Sequence, residues 1–299
     1  MYDLGRVYML YERTAENEEI AVGWFREAAI ERNVSAMYIL GCCLRDGVGI
    51  TQDLNRATEW FQKAADLGNV NAMYSLGCCL RDGIGITQDL NRSAEWFQKA
   101  VDVGNVNAMC SLGCYLRDGI GITQDLNRAA DLFLRAALAG NADAMYNLGV
   151  CFQTGKGINK DEKKAIEWYQ KAVDVGNVNA MYSLGCCFMD GVGVEQNLSE
   201  AVGWFQKAAD VGNSDAMCVL RYFFRDGIDV GQYLSKAIEC LSCAAGVGNV
   251  DAMCILGFCF ENGVGVKQDL SKAMELLEQA ADLGNATAKR NLEELISRL

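Results

Sequence analysis

The stretch AMYILGCCLRDGVGITQDLNRATEWFQKAADLGN, residues 36–69, decides the architecture, because the chain repeats it along its whole length. Ala36 returns as Ala72, Ala108, Ala144, Ala180, Ala216, Ala252 and Ala288. Asn33 returns as Asn69, Asn105, Asn141, Asn177, Asn213, Asn249 and Asn285. The period is 36 residues without slippage, and residues 37–72 differ from 73–108 at only six positions, the mark of recent tandem duplication. A fixed period in this range signals stacked units, each too small to bury its own apolar faces.

Each unit reads as two helices. The column before the Ala holds Ser35, Asn71, Asn107, Asp143, Asn179, Asp215, Asp251 and Thr287. All are short side chains with an acceptor oxygen, which predicts the N-cap of a first helix there, worth about 1 kcal/mol each. That helix runs through Ala36, Leu40, Gly41 and Leu44 and stops at Gly47, a natural left-handed terminator. Asp53, Asp89, Asp125, Asp161, Asn197 and Asp269 cap a second helix, which carries Ala57, Trp60, Phe61, Ala64 and Ala65 at helical spacing and ends at Gly68. Gly41, Gly77, Gly113, Gly149, Gly185 and Gly257 lie inside the first helix, at about 1 kcal/mol each relative to Ala. Close approach of a neighbouring helix offsets that cost, with Trp60, Trp96, Trp168 or Trp204 expected to fill the space beside the glycine. The fold class is therefore all-α, with about eight helix-turn-helix units: residues 1–33 a degenerate first repeat, 34–285 seven repeats, and 286–299 a charged C-terminal capping helix. No linker divides residues 1–299, so a single domain is expected. The start at Met1, on the Met column with no cap before it, suggests a trimmed chain.

Composition narrows the function. The chain has 299 residues, no Pro, no His and a net charge of −12. Without His it lacks the commonest general base, metal ligand and nucleophile partner. We therefore expect no enzyme activity, no catalytic residue, no metal site and no cofactor. A net charge of this sign disfavours nucleic acid and anionic membranes as partners, both of which reward clustered Lys and Arg. No apolar run reaches the ~18 residues of a membrane span, and the N-terminus shows no secretory signal.

The pattern Ala36, Leu40, Gly41, Gly47, Gly49, Ile50, Asp53, Arg56, Ala57, Trp60, Phe61, Lys63, Ala64, Ala65 and Gly68 closely resembles the Sel1-like repeat, and the resemblance covers essentially the whole chain. It implies a right-handed α/α superhelical solenoid related to tetratricopeptide arrays. It also implies an adaptor or scaffold role, with no catalytic residues to carry over. A cysteine-rich branch of the family staples each repeat with a disulfide. This chain has Ala64, Ala100, Ala172 and Ala208 where the first Cys of that staple would stand, so that character does not transfer.

Twelve of the 14 Cys fall in columns: Cys42, Cys78, Cys114 and Cys186; Cys43, Cys79, Cys151, Cys187 and Cys259; and Cys110, Cys218 and Cys254 in a column shared with Tyr. Stacked equivalents sit about 8–10 Å apart, beyond the ~7 Å limit of a disulfide. Free, packed thiols and a reducing, cytoplasmic setting follow. Cys240-Leu241-Ser242-Cys243, with no second pair and no His, is weak ground for zinc or thiol exchange.

The remaining stripe of the first helix is the candidate partner surface: Tyr38, Cys42, Arg45, Tyr74, Cys78, Arg81, Cys114, Arg117, Tyr146, Tyr182, Tyr222, Arg225 and Phe258. By analogy with tetratricopeptide stacks it lines a concave groove, and Tyr and Arg are favoured in interface cores. The competing reading makes Arg45, Arg81 and Arg117 solvated helix ends neutralised by Asp46, Asp82 and Asp118. The seventh unit departs from the pattern, with Arg221 for Gly, Asp229 for Gly, Tyr233 at the cap and Cys240 for Trp. An Arg beside the second helix would bend the superhelix there.

The leading expectation is a monomeric scaffold holding a protein or peptide ligand, with an acidic or phosphorylated segment favoured near Arg45, Arg81 and Arg117. The alternatives are a thiol- or metal-responsive Cys-rich protein, or an exported effector of an intracellular microbe.

Overall fold

The structure, a computed structural model, describes residues 1–10, 14–225, 238, 241, 242, 245, 246, 248–263 and 266–298. The described residues are helical or in tight connections, with no strand among them. They divide into two compact units, one of residues 1–151 with 155–159 and one of 152–154 with 160–299.

In the first unit the helices are α1 (Tyr2–Leu10), α2 (Ala15–Ile30), α3 (Val34–Asp46), α4 (Leu54–Asp66), α5 (Val70–Asp82), α6 (Leu90–Asp102), α7 (Val106–Asp118) and α8 (Leu126–Leu138), with most of α9 (Ala142–Thr154). The second holds α10 (Glu162–Asp174), α11 (Val178–Asp190), α12 (Leu198–Asp210), α13 (Ser214–Arg225), α14 (Val250–Asn262), α15 (Leu270–Asp282) and α16 (Ala286–Arg298). The two-helix reading holds for every repeat whose second helix is described, and Asp53 caps α4 by accepting from the Arg56 amide at 3.0 Å.

The start of the first helix of each repeat does not fall where the Ser35 and Asn71 column placed it. α3 and α5 begin at Val34 and Val70. The caps are Asn33 and Asn69, whose Oδ1 atoms accept from the amides of Ala36 and Ala72 at 2.9 and 2.8 Å. The physical reason lies in the preceding turn. Gly68 adopts φ +90° and donates to the Ala65 carbonyl, while the Asn69 amide donates to Ala64. This closes α4 and leaves Asn69 extended, three residues from the amide it must satisfy. Asn71 falls inside the helix. Its equivalents Asn107 and Asp251 instead accept from the cap residues of the following repeat, Asn141 at 3.1 Å and Asn285 at 2.9 Å.

The glycine column is filled by Phe, not Trp. A Cβ on Gly41 would lie 2.7 Å from the Phe61 ring, and one on Gly77 would lie 2.6 Å from Phe97. Gly113 and Gly185 stand in the same relation to Phe133 and Phe205, and Gly257 to Leu277. Phe61, Phe97, Phe133 and Phe205 are fully buried. Trp60 is one residue, or 100°, further around the helix. Its indole stays half-buried under the Lys63 ammonium, 4.3 Å from the ring centroid, and Lys99, Lys171 and Lys207 repeat the arrangement over Trp96, Trp168 and Trp204. The second turn glycine makes a contact between repeats: a Cβ on Gly85 would lie 2.0 Å from the Leu54 carbonyl oxygen of α4. The Thr58 hydroxyl in turn donates to the Ile84 carbonyl at 3.1 Å.

The irregular features read at Asp229, Tyr233 and Cys240, and the side chains of Arg221, Tyr222 and Arg225, lie outside the described residues, as does any bend they would cause. Phe223 of that repeat is buried. α16 buries Ala288 and Leu295 and exposes Lys289, Arg290, Glu293 and Glu294.

Candidate functional site

The stripe residues of α3, α5 and α7 share one helix face, since positions 38, 42 and 45 are spaced by four and three residues. The Tyr38 ring packs on Phe61 with centroids 5.8 Å apart. Tyr74 repeats this on Phe97 at 5.8 Å, and Tyr182 on Phe205 at 5.6 Å. The anchor of each tyrosine is thus the same phenylalanine that fills the glycine gap. The hydroxyls of Tyr38 and Tyr74 come close to Ser75 and Ser111 of the next repeat. Burial pushes both phenols above their usual range, and it pushes Tyr182 up to about 12. Cys42, Cys78, Cys114 and Cys186 are half-buried beside them, as are Tyr146 and Phe258.

The arginines are tied to their neighbours. Arg45 donates from Nε and Nη2 to the two carboxylate oxygens of Asp46 at 2.8 and 2.9 Å. Arg81 and Asp82, and Arg117 and Asp118, form the same fork. These bonds raise the guanidinium pKa values and hold the three carboxylates below their usual range. The side chains stay 42, 40 and 31% exposed, so each pair contributes about 0–1 kcal/mol and serves mainly to fix direction. The three arginines thus show both the pairing and the exposure of solvated, neutralised helix ends.

The stripe changes character along the chain through paired substitutions that column reading missed. At Cys110 the phenol is gone, and at 147 an Asn replaces Ser75 and Ser111. Arg117 Nη1 then donates to Asn147 Oδ1 at 2.6 Å and ties α7 to α9. In the second unit Gln153 stands in the arginine column, where it accepts from the Tyr169 hydroxyl at 2.7 Å. Glu261 in the same column receives Arg298 of α16 at 3.2 Å. The signal was present in the sequence, because each departure from one column is matched by a departure from another.

None of the described cysteines forms a disulfide, and Cys43, Cys79, Cys110, Cys151, Cys187, Cys254 and Cys259 are buried. Desolvation pushes Cys43 up to about 11 and Cys187 and Cys259 up to about 12. Among the described residues no three Cys, Asp or Glu side chains gather as a metal site, and no helix is long and apolar enough to cross a membrane. Cys240 and Cys243 lie outside the described residues.

Tandem capped hairpins with a side-chain stripe on their first helices define an α/α repeat solenoid of the tetratricopeptide-like kind. The Sel1 repeat model matches residues 1–32, 34–69, 70–105, 106–141, 142–177, 178–213, 214–249 and 250–285, and the chain belongs to the Sel1 repeat family. A protective antigen of uropathogenic Escherichia coli with an SLR fold is similar over 100% of this chain, at 30% identity and a TM-score of 0.73. The match spans 64% of that protein's length. A Sel1 repeat protein from Oxalobacter formigenes is similar at 28% identity and a TM-score of 0.68, over 98% of this chain and 85% of its own. Yeast Tom70, at 17% identity and a TM-score of 0.55 over 96% of this chain and 59% of its own, shares the fold alone. No curated protein matches the sequence. Sel1 repeat proteins generally mediate protein–protein interactions and are not enzymes.

Proposed function

We propose that the chain is a non-enzymatic scaffold, acting as a monomer in a reducing, cytoplasmic setting, and that it binds a protein or peptide segment along the first-helix stripe. The single observation that carries this reading is the register of Tyr38, Cys42 and Arg45 with Tyr74, Cys78 and Arg81. Rings and guanidiniums of successive repeats are held in one orientation by Phe61, Phe97, Asp46 and Asp82 while remaining accessible. Side chains fixed before binding lose little entropy on binding, which is how a small surface gains affinity. By analogy with tetratricopeptide stacks this is the concave face, and residues 1–299 act as one binding domain.

The Asp forks sharpen the expected ligand. Each Arg–Asp pair is neutral overall, so the face offers directed N–H donors and aromatic edges rather than net positive charge. A segment with carbonyl or amide acceptors suits it better than a merely acidic one.

A photocrosslinking amino acid at position 74, with position 59 on the exposed face of α4 as control, tests this. Partners joined from 74 and not from 59 support the assignment, and Tyr74→Ala with Arg81→Glu should abolish their binding without loss of helicity. Capture equally strong from 59, or binding unaltered in the folded double variant, overturns it.

A further inference from the structure

Cys110 and Cys114 are the only two cysteines of the chain spaced four apart. They lie on one face of α7, about one turn apart, with their thiols close enough to interact. The four-residue partner of every other stripe cysteine is different: Tyr38, Tyr74 and Tyr182 stand before Cys42, Cys78 and Cys186, while Tyr222 and Phe258 follow Cys218 and Cys254. The fourth repeat alone has exchanged its ring for a second sulfur. Cys110 is 8% exposed and Cys114 is half-buried, so one sulfur sits inside and the other opens to solvent.

From this geometry we infer that Cys110 and Cys114 form a dithiol site for a soft monovalent metal ion, Cu(I). Thiolate sulfur selects Cu(I), zinc and iron–sulfur centres. Zinc requires four ligands, and no third Cys, Asp or Glu joins these two among the described residues. A two-coordinate ion remains. Binding joins one Cu(I) to two sulfurs and releases the two thiol protons, so the bis-thiolate complex carries a single negative charge. Arg117, one turn further along α7, lies close enough to favour charge on Cys114 and offsets it. Asp118, which forks Arg117, and Asp143 oppose it. The site does not depend on the stripe binding a partner.

The test is an anaerobic titration of the reduced chain with Cu(I) held by a chromophoric chelator, with proton release followed in weak buffer. The wild-type chain should withdraw one ion and release two protons. Cys114→Ser should withdraw none. So should Cys110→Tyr, which carries the ring of Tyr74 and Tyr146, once circular dichroism shows its helicity unchanged. Cys78→Ser and Cys240→Ser should still withdraw one. X-ray absorption should show two sulfur neighbours at copper. Failure of the wild type to compete with the chelator, retention of the ion by Cys110→Tyr, or its loss in Cys240→Ser overturns the assignment.

Discussion

Replacing Ser93 by Ala should destabilise the first unit, although Ala is the residue that positions 57, 129, 165, 201 and 273 carry in the same column. The reason is Tyr115, which stands where the other described repeats have Val7, Cys43, Cys79, Cys151, Cys187, Phe223 and Cys259. Ser93 is fully buried and Tyr115 is 4% exposed, and their hydroxyl oxygens are 3.0 Å apart. The Ser93 hydroxyl donates to the Gly77 carbonyl at 2.8 Å, which leaves Tyr115 to donate to Ser93. Ser93→Ala strands the phenol in a dry site, at about 1–3 kcal/mol, whereas Tyr115→Phe removes a bond but leaves Ser93 its carbonyl, at about 0.5–1.5 kcal/mol. The double variant strands nothing and should lie above the sum of the singles by about 0.5–3 kcal/mol. Urea unfolding of the four chains by circular dichroism, at equal slope, measures this coupling. Additivity within about 0.5 kcal/mol would refute the account of a stranded hydroxyl.

Three further outcomes follow from the geometry. Asn69→Ala should cost about 0.5–2 kcal/mol while Asn71→Ala stays near 0.5, because only Asn69 caps α5; equal losses would return the cap to the column before the Ala. Gly85→Ala and Gly68→Ala both place a side chain at positive φ, +67° and +90°, but only at Gly85 would the new Cβ meet a backbone carbonyl, at 2.0 Å. Gly85→Ala should therefore lower the unfolding midpoint much further than Gly68→Ala, which carries only the strain of about 1–3 kcal/mol. Cys43, Cys187 and Cys259 have pKa values raised from the usual 9.0 to about 11 or 12. Their stabilisation should be complete below pH 9 and be lost as the pH rises toward 11–12, because the unfolded thiols release protons first. Unfolding midpoints between pH 7 and 10.5 should fall on this schedule, and the fall should be shallower in Cys259→Ala.

Period, helix count and the second-helix caps were legible because each depends on one kind of residue in one column: Ala72, Gly83 and Asp89 mean the same thing wherever the column keeps them. Where two columns offered the same chemistry, reading failed. Asn69 and Asn71 are both good caps, and only the Gly68 turn, with its 6→1 hydrogen bond, decides between them. Trp96 and Phe97 are both large enough to fill a glycine gap, and a difference of 100° around α6 selects Phe97. The stripe was visible as composition, yet whether Arg81 meets a partner or Asp82 depends on a rotamer, which no column records.

The paired departures explain how nearly identical repeats acquire distinct surfaces without losing the stack. A lone change in a buried column strands a polar group or opens a gap, so it persists only when a contacting column changes with it. Tyr115 came with Ser93, Tyr169 with Gln153, and Asn147 with the loss of the phenol at Cys110. At Gln153 and Arg117 the polar bond consumes a side chain whose column elsewhere belongs to the stripe. Arg117 therefore differs from Arg45 and Arg81 although all three sit in the same Leu-Arg-Asp-Gly sequence: its Nη1 is already given to Asn147, so it stiffens the junction between α7 and α9. A partner that reads the stripe should consequently depend on Arg45 and Arg81 through direct contact and on Arg117 through positioning. Asn147→Ser, which restores the residue of the neighbouring repeats, separates the two roles: it frees the Arg117 guanidinium and leaves Arg45 and Arg81 untouched. Binding of a stripe ligand should keep its dependence on Arg81 in that variant while its dependence on Arg117 rises.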